Sequence, residues 1–338
     1  MSGGEFLTLV DRVSDSNMYQ QILDSSVPVD SQFAVLSGKE LLHFKLFFRV
    51  SPLHKRAGSI KNYTYEVGSI AQILKGNQLI IADDTFRTYS WLNKELVDKS
   101  VIWLTPREEE TKERHWLDHF ISGESLLQSF PYEIVVIGGG ILLNAGAYIA
   151  EQLGSDLTYI PTTVLAMSDG SIGGKVRANE IKDGLYHKHA YKSFYEPNRI
   201  LIDPRFLELL PDKQIAIGLG EVLKHGVYQS RALLEYLVSK DFHPQTDKDS
   251  LLKAILWAAA LKEVCLNIDP DETTDGSHII MRGGHEVSDK IEESSHFQIP
   301  HGTAVAIAVY EEMSQKSSEL MPLLDACYRK FSIPTKNS

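Results

Sequence analysis

The chain has 338 residues, 43% apolar and 23% charged, which suits two soluble domains of ordinary size and exceeds what one small core needs. Its 34 basic and 45 acidic residues give a net charge of −11, which argues against broad binding to nucleic acid or anionic membranes but permits a local basic pocket. Cys265 and Cys327 make neither a disulfide framework nor a Cys-x-x-Cys pair, and no apolar run approaches the roughly 20 residues of a membrane helix. Residues 1–5 lack the basic start of a secretory leader, so a cytoplasmic protein with reduced thiols is expected.

Residues 6–10 and 44–50 have strand composition, 51–62 is polar with loop or hairpin character, and 63–67 alternates as a strand does. A short buried strand at 78–82 ends in Asp83-Asp84, and a helix should follow it. Residues 100–104 form the next strand, followed by a charged helix around 108–121 and the Val/Ile strand that runs into Gly138-Gly139-Gly140. Residues 157–160 and 200–202 extend the pattern. Strands alternating with helices predict a parallel sheet whose ligands collect at the carboxyl ends of its strands, the edge where Asp83 and the glycines lie. After Pro204, helical periodicity over 205–240, 249–268, 285–295 and 302–317 predicts a helical domain. The expected division is 1–198, an α/β domain with an N-terminal extension, and 199–338, all α.

The three glycines precede a helix beginning near Asn144, where backbone can approach a pyrophosphate and free N–H groups can receive it. The spacing is not Gly-x-Gly-x-x-Gly, and a triple glycine alone also makes a tight turn; Gly146, which permits close helix–strand packing, favours the cofactor reading. Thr162, Thr163 and Asp169 follow the next strand, within range of a ribose or nicotinamide. Lys175, after Gly173-Gly174, is placed to meet phosphate or substrate oxygens. Glu221, Lys224 and His225 share one helix face, which is either a surface ion pair or a tight buried site. His285 follows Gly283-Gly284, and His301 heads an Ala/Val-rich helix that must be buried. One carboxylate and two imidazoles leave coordination positions open for substrate, as a catalytic divalent metal requires.

Together these motifs resemble the 3-dehydroquinate synthase-like sugar phosphate cyclases over about residues 78–315. The matching runs are 137–140, 161–175 with Asn179, Phe194-Tyr195-Glu196-Pro197, Leu201-Ile202-Asp203-Pro204, 220–224, Gly284-His285 and His301-Gly302. The resemblance implies a Rossmann-like N-terminal domain with a parallel sheet, an all-α C-terminal domain, and NAD and a divalent metal, zinc or cobalt, in the cleft between them. It implies Glu221, His285 and His301 as metal ligands. Asp83, Gly139, Gly140, Ile141, Asn144, Thr162, Thr163 and Asp169 would surround NAD, with Glu109 and Lys112 at its adenosine end. Lys175, Asn179, Lys188, Lys224, Asp169 and Arg282 would serve substrate and catalysis, in a homodimer. The implied reaction is that of a carbon–oxygen lyase. Transient oxidation of a secondary alcohol acidifies the neighbouring C–H, phosphate leaves by β-elimination, the hydride returns, and the ring closes by aldol addition.

Departures from the family pattern bear on the substrate. Asp289 stands where a second histidine is usual, four residues after His285, and Leu153 replaces an arginine that helps hold a substrate carboxylate. An Arg-x-x-x-Asn motif appears as His278 and Arg282, and a Lys-Asn pair as Lys188-His189. The family's C-terminal helical region is also short here. A neutral heptulose 7-phosphate or hexose 6-phosphate is therefore expected rather than a carboxylated sugar, with the product serving secondary metabolism. The alternatives are a metal-dependent alcohol or polyol dehydrogenase of the same architecture and a degenerate, non-catalytic paralogue.

Overall fold

The computed structural model describes residues 17–48, 62–106, 108–129, 133–182, 185–270, 272 and 274–336. The strand expected at 6–10 and nearly all of the loop expected at 51–62 lie outside these residues. Two compact units result: Leu42–Phe206, and Met1–Leu41 together with Leu207–Ser338.

The first helix among the described residues, α1 (Asn17–Val35), was not expected, and it holds Pro28 in its interior. Proline there removes a backbone hydrogen bond, so tertiary contacts must hold the helix. The Asp30 carboxylate accepts from Ser230 Oγ at 2.5 Å and from Trp257 Nε1 at 2.9 Å, while Phe33 stacks on Trp257 at 5.5 Å. These contacts join α1 to the unit of Leu207–Ser338 rather than to the sheet.

The unit Leu42–Phe206 is built on a seven-stranded sheet, alternating with short helices. In chain order its elements are β1 (Lys45–Phe48), β2 (Tyr63–Val67), β3 (Leu79–Asp83), α2 (Ser90–Leu96), β4 (Ser100–Leu104), α3 (Arg114–Gly123), α4 (Ser125–Ser129), β5 (Glu133–Gly138), α5 (Gly140–Leu153) and β6 (Asp156–Pro161). A hairpin, β7 (Lys175–Lys182) with β8 (Leu185–Phe194), and then β9 (Arg199–Ile202) complete it. The sheet order is β1-β2-β9-β6-β5-β3-β4, and every pairing is parallel except β1 with β2. The mixed α/β class and the parallel sheet agree with the sequence reading. Its central strands are continuous apolar runs because both faces are covered: Leu79 to Ala82 and Ile134 to Ile137 are all buried. Gly146 lets α5 lie directly on β5, since a Cβ there would overlap Val136.

Two differences from expectation stand out. β7 and β8 form a separate antiparallel sheet that the sequence reading missed. β9 pairs with β2 and β6, so this unit runs on to Phe206 and the helical part starts at Leu207, not at 199. Asp203 secures that end of the unit: its carboxylate accepts from Ile70 N and receives the Arg205 guanidinium.

The helical unit continues with α6 (Asp212–Tyr228), α7 (Arg231–Val238), α8 (Lys248–Ile268), α9 (Asp275–Arg282), α10 (His285–Ser294), α11 (His301–Gln315) and α12 (Met321–Phe331). Its starts are set by local chemistry. Asp247 accepts from Asp249 N and Ser250 N to begin α8, Thr274 caps α9, and Gly284 at φ +73° turns the chain into α10. Ile291, Ala304 and Ile307, with Val287 and Ile299, pack α10 against α11. Among the described residues no helix is long and apolar enough to cross a membrane.

Candidate metal centre and dinucleotide edge

Two helices of the helical unit meet without side chains between them. A Cβ on Gly220 of α6 would overlap the carbonyl oxygen of Gly302 on α11, so the backbones touch at that point. The neighbouring residues are Glu221 and His301, and close crossing brings His301 Nε2 to 3.2 Å from Glu221 Oε1. His285, at the start of α10, places Nε2 at 3.9 Å from the same oxygen. Ligand atoms of the three residues all lie within 4.8 Å of one another.

Supports surround this trio. Glu221 is buried, and Lys224 Nζ, also buried, lies 2.6 Å from its Oε2 and 3.4 Å from the Met281 carbonyl. The Gly283 carbonyl accepts from His285 Nδ1 at 3.2 Å, and the Tyr228 ring lies where a Gly283 side chain would be. Glu292 Oε1 accepts from His301 Nδ1 at 2.7 Å. Burial works against a charged His301, but the carboxylates of Glu221 and Glu292 outweigh it and draw the imidazole up to about 10. Two carboxylates converging on one imidazole make a place that favours positive charge, and a divalent cation meets that demand with the nitrogen and oxygen donors it prefers. The side chains of His285 and His301 are 20% and 36% exposed, so one side of the trio stays open to a further ligand.

The helix face predicted from Glu221, Lys224 and His225 separates in the structure. His225 is buried, with Nδ1 2.6 Å from Gln229 Oε1, and belongs to the core. Arg282, expected near substrate, is the exposed last residue of α9, and His278 one turn earlier is exposed too. Asp289 is half-buried one turn beyond His285. Glu292 was missed; it lies seven residues after His285, two turns along the same face of α10.

In the sheet unit, Gly139 precedes α5 in an extended conformation, no side chain caps that N-terminus, and a Cβ on Gly140 would meet nothing within 4 Å. Open space above uncapped N–H groups fits a pyrophosphate. Ile141 is half-buried in the first turn, and Asn144 bridges Gly140 O and Arg177 N. Asp83, at the end of β3, accepts from the Thr85 amide and hydroxyl. Thr162 donates its amide to Gly138 O, Thr163 Oγ1 accepts from Ala166 N, and Asp169 lies in the turn that follows. Lys175 opens β7.

Asn179 meets Glu109 and His189. Its Nδ2 donates to Glu109 O at 2.9 Å and to Glu109 Oε2 at 3.0 Å, while its Oδ1 accepts from His189 N. That contact joins residues the resemblance sets apart, one at the adenosine end and the other at the substrate. Lys112 completes the cluster, 2.8 Å from Glu109 Oε2. Burial alone would raise the Glu109 carboxyl; Lys112, Asn179 and Lys188 hold it low instead. His189 is pushed down to about 3, by burial first and then by Lys112 and Lys188, so it stays neutral amid positive potential. Leu153 closes α5 at the end opposite the glycine turn, about 20 Å along the helix by its rise per residue. It therefore does not adjoin a ligand at the Gly139–Gly140 edge of its own unit.

Comparison with known proteins agrees with this layout. Residues 104–217 match the 3-dehydroquinate synthase N-terminal family and residues 218–330 its C-terminal counterpart. A 3-dehydroquinate synthase of Clostridium beijerinckii is 30% identical over 281 residues, 78% of this chain and 75% of that protein. The chain belongs to the 3-dehydroquinate synthase family. The first curated relatives it matches are spanned over about half their length; the enzyme of Sulfurisphaera tokodaii is 31% identical over 52% of this chain and 49% of its own. Among solved structures, a 2-epi-5-epi-valiolone synthase of Streptomyces hygroscopicus with NAD+ and Zn2+ bound is similar at a TM-score of 0.70 and 20% identity, covering 83% of this chain and 84% of that one. A 2-deoxy-scyllo-inosose synthase complexed with carbaglucose-6-phosphate, NAD+ and Co2+ follows at 0.65 and 19%, covering 87% and 83%. A probable glycerol dehydrogenase of Sinorhizobium meliloti gives 0.57 and 13%, covering 80% and 82%. At these identities the likeness concerns the fold, which family members share with dehydrogenases.

Proposed function

We propose that the protein is an NAD- and divalent-metal-dependent sugar phosphate cyclase, a carbon–oxygen lyase that closes a neutral phosphorylated sugar into a carbocycle. The observation carrying this reading is the convergence of Glu221, His285 and His301 in a chain of the 3-dehydroquinate synthase family. When bound, NAD supplies reversible hydride transfer and a zinc or cobalt ion supplies Lewis-acid polarisation of substrate oxygens. Glu221, His285 and His301 would hold the ion, with Lys224 fixing the Glu221 carboxylate. The α5 N-terminus would hold the dinucleotide phosphates, flanked by Asp83, Thr162, Thr163 and Asp169. Lys175 and Lys188 would supply positive charge for a phosphorylated ligand; beyond the effect of burial, Lys188 together with Lys112 also holds the His189 imidazole down.

The proposed substrate is a heptulose 7-phosphate or hexose 6-phosphate, the product a secondary-metabolite carbocycle, and the protein a cytoplasmic homodimer. A carboxylate at Asp289 disfavours a carboxylated substrate nearby by charge repulsion. Metal-loaded protein incubated with NAD and a panel of sugar phosphates should release inorganic phosphate and form a carbocycle without NADH accumulating. Steady NADH formation with a polyol would instead mark a dehydrogenase, and failure to bind either cofactor a non-catalytic paralogue.

Lys175→Ala should lower turnover strongly while NAD stays bound, measured by steady-state rates beside a dinucleotide titration. Unchanged kinetics would remove Lys175 from the site.

A further inference from the structure

We infer that Glu292 is a positioning residue for the metal centre, which fixes His301 in its ligating form and strengthens it as a donor; this rests on the metal reading above. The carboxylate is 4% exposed, and burying a charge is costly unless it is paired. Its partner is His301 Nδ1 at 2.7 Å. A carboxylate can only accept, so Nδ1 carries the proton and donates it, leaving Nε2 as the atom turned toward Glu221 at 3.2 Å. Without that contact the imidazole could protonate at either nitrogen and turn about its Cβ–Cγ bond.

The two histidines are held unequally. His285 has a neutral acceptor, the Gly283 carbonyl at 3.2 Å, whereas His301 has a buried anion at a shorter distance. An anionic acceptor pushes electron density toward Nε2 more than a carbonyl does, so His301 becomes the stronger nitrogen donor of the pair. The apolar seam of Ile291, Ala304 and Ile307 lies beside Glu292 and His301 in sequence and packs their helices together, which keeps donor and acceptor in register.

The test uses full-length protein stripped with a chelator and titrated with Zn2+ against a chromophoric competitor. Glu292→Gln should bind Zn2+ about ten- to hundredfold more weakly than wild type, whereas Glu293→Gln, at the exposed neighbouring position, should match wild type. Proton NMR of the zinc-loaded wild type should contain a strongly downfield imidazole N–H signal from His301, and Glu292→Gln, which still offers an oxygen acceptor but a neutral one, should move it upfield. If Glu292→Gln does not fold without metal, Glu292→Asp, which keeps the charge but shortens the reach, should show a smaller loss of affinity and a smaller upfield move. Wild-type affinity in Glu292→Gln, or lost affinity with the N–H signal unmoved from its wild-type position, overturns the inference. Wild-type protein that takes up no Zn2+ overturns the metal reading itself, and this inference with it.

Discussion

Glu221→Gln will lose Zn2+ binding by more than about a hundredfold, beyond what a residue outside the ligand set costs, and turnover will go with it. Glutamine keeps the shape of the side chain but offers a neutral oxygen in place of the anion that both imidazoles face at 3.2 and 3.9 Å. A second effect must be separated from the first. Lys224 is 1% exposed and lies 2.6 Å from Glu221, so removing the charge takes away the carboxylate that faces this buried ammonium. Breaking a buried pair from one side costs about 3 kcal/mol or more, and the metal-free variant should therefore melt earlier. The double variant Glu221→Gln with Lys224→Met replaces both ends and should recover most of that stability without recovering metal. Stoichiometric zinc retained in either variant would refute Glu221 as a ligand.

Gly220→Ala should damage folding and metal binding together. Its methyl group would overlap the Gly302 carbonyl, a backbone atom that cannot rotate away, so α6 and α11 must separate. Forced overpacking of that kind costs about 3 kcal/mol, read as a lower urea midpoint. Separation also moves Glu221 from His301, so Zn2+ affinity should fall in whatever fraction still folds. Gly226→Ala on the same helix is the comparison: there the new methyl meets the Leu234 side chain, which can adjust, and metal binding should persist. Wild-type affinity and stability in Gly220→Ala would show that the helices do not need this contact.

Much of the architecture was legible in the sequence because parallel strands covered on both faces are unbroken apolar runs. Residues 79–82 and the strand entering Gly138 announce themselves that way. The β7–β8 hairpin did not, since its strands mix Lys, Arg, His and Asn with few large apolar residues. Asp183-Gly184 between two alternating stretches is a dipeptide favoured in short hairpin turns, and it was the available signal. α1 was hidden by Pro28 and by partners, Ser230 and Trp257, that lie some two hundred positions away. The metal trio could be named from residue types, but the supports could not. That Asn179 meets Glu109, that His225 turns to Gln229, and that Glu292 backs His301 depend on how helices and loops fold together, which spacing along the chain does not encode.

All three proposed ion ligands, with Lys224, Gly283 and Glu292 behind them, come from the unit that contains Leu207–Ser338, while the open glycine turn belongs to Leu42–Phe206. On the proposed reading, the ion would draw its ligands from one compact unit and the dinucleotide its phosphate site from the other. On that reading the two capacities should be separable by mutation: a variant could lose zinc uptake while keeping its hold on a dinucleotide, or the reverse.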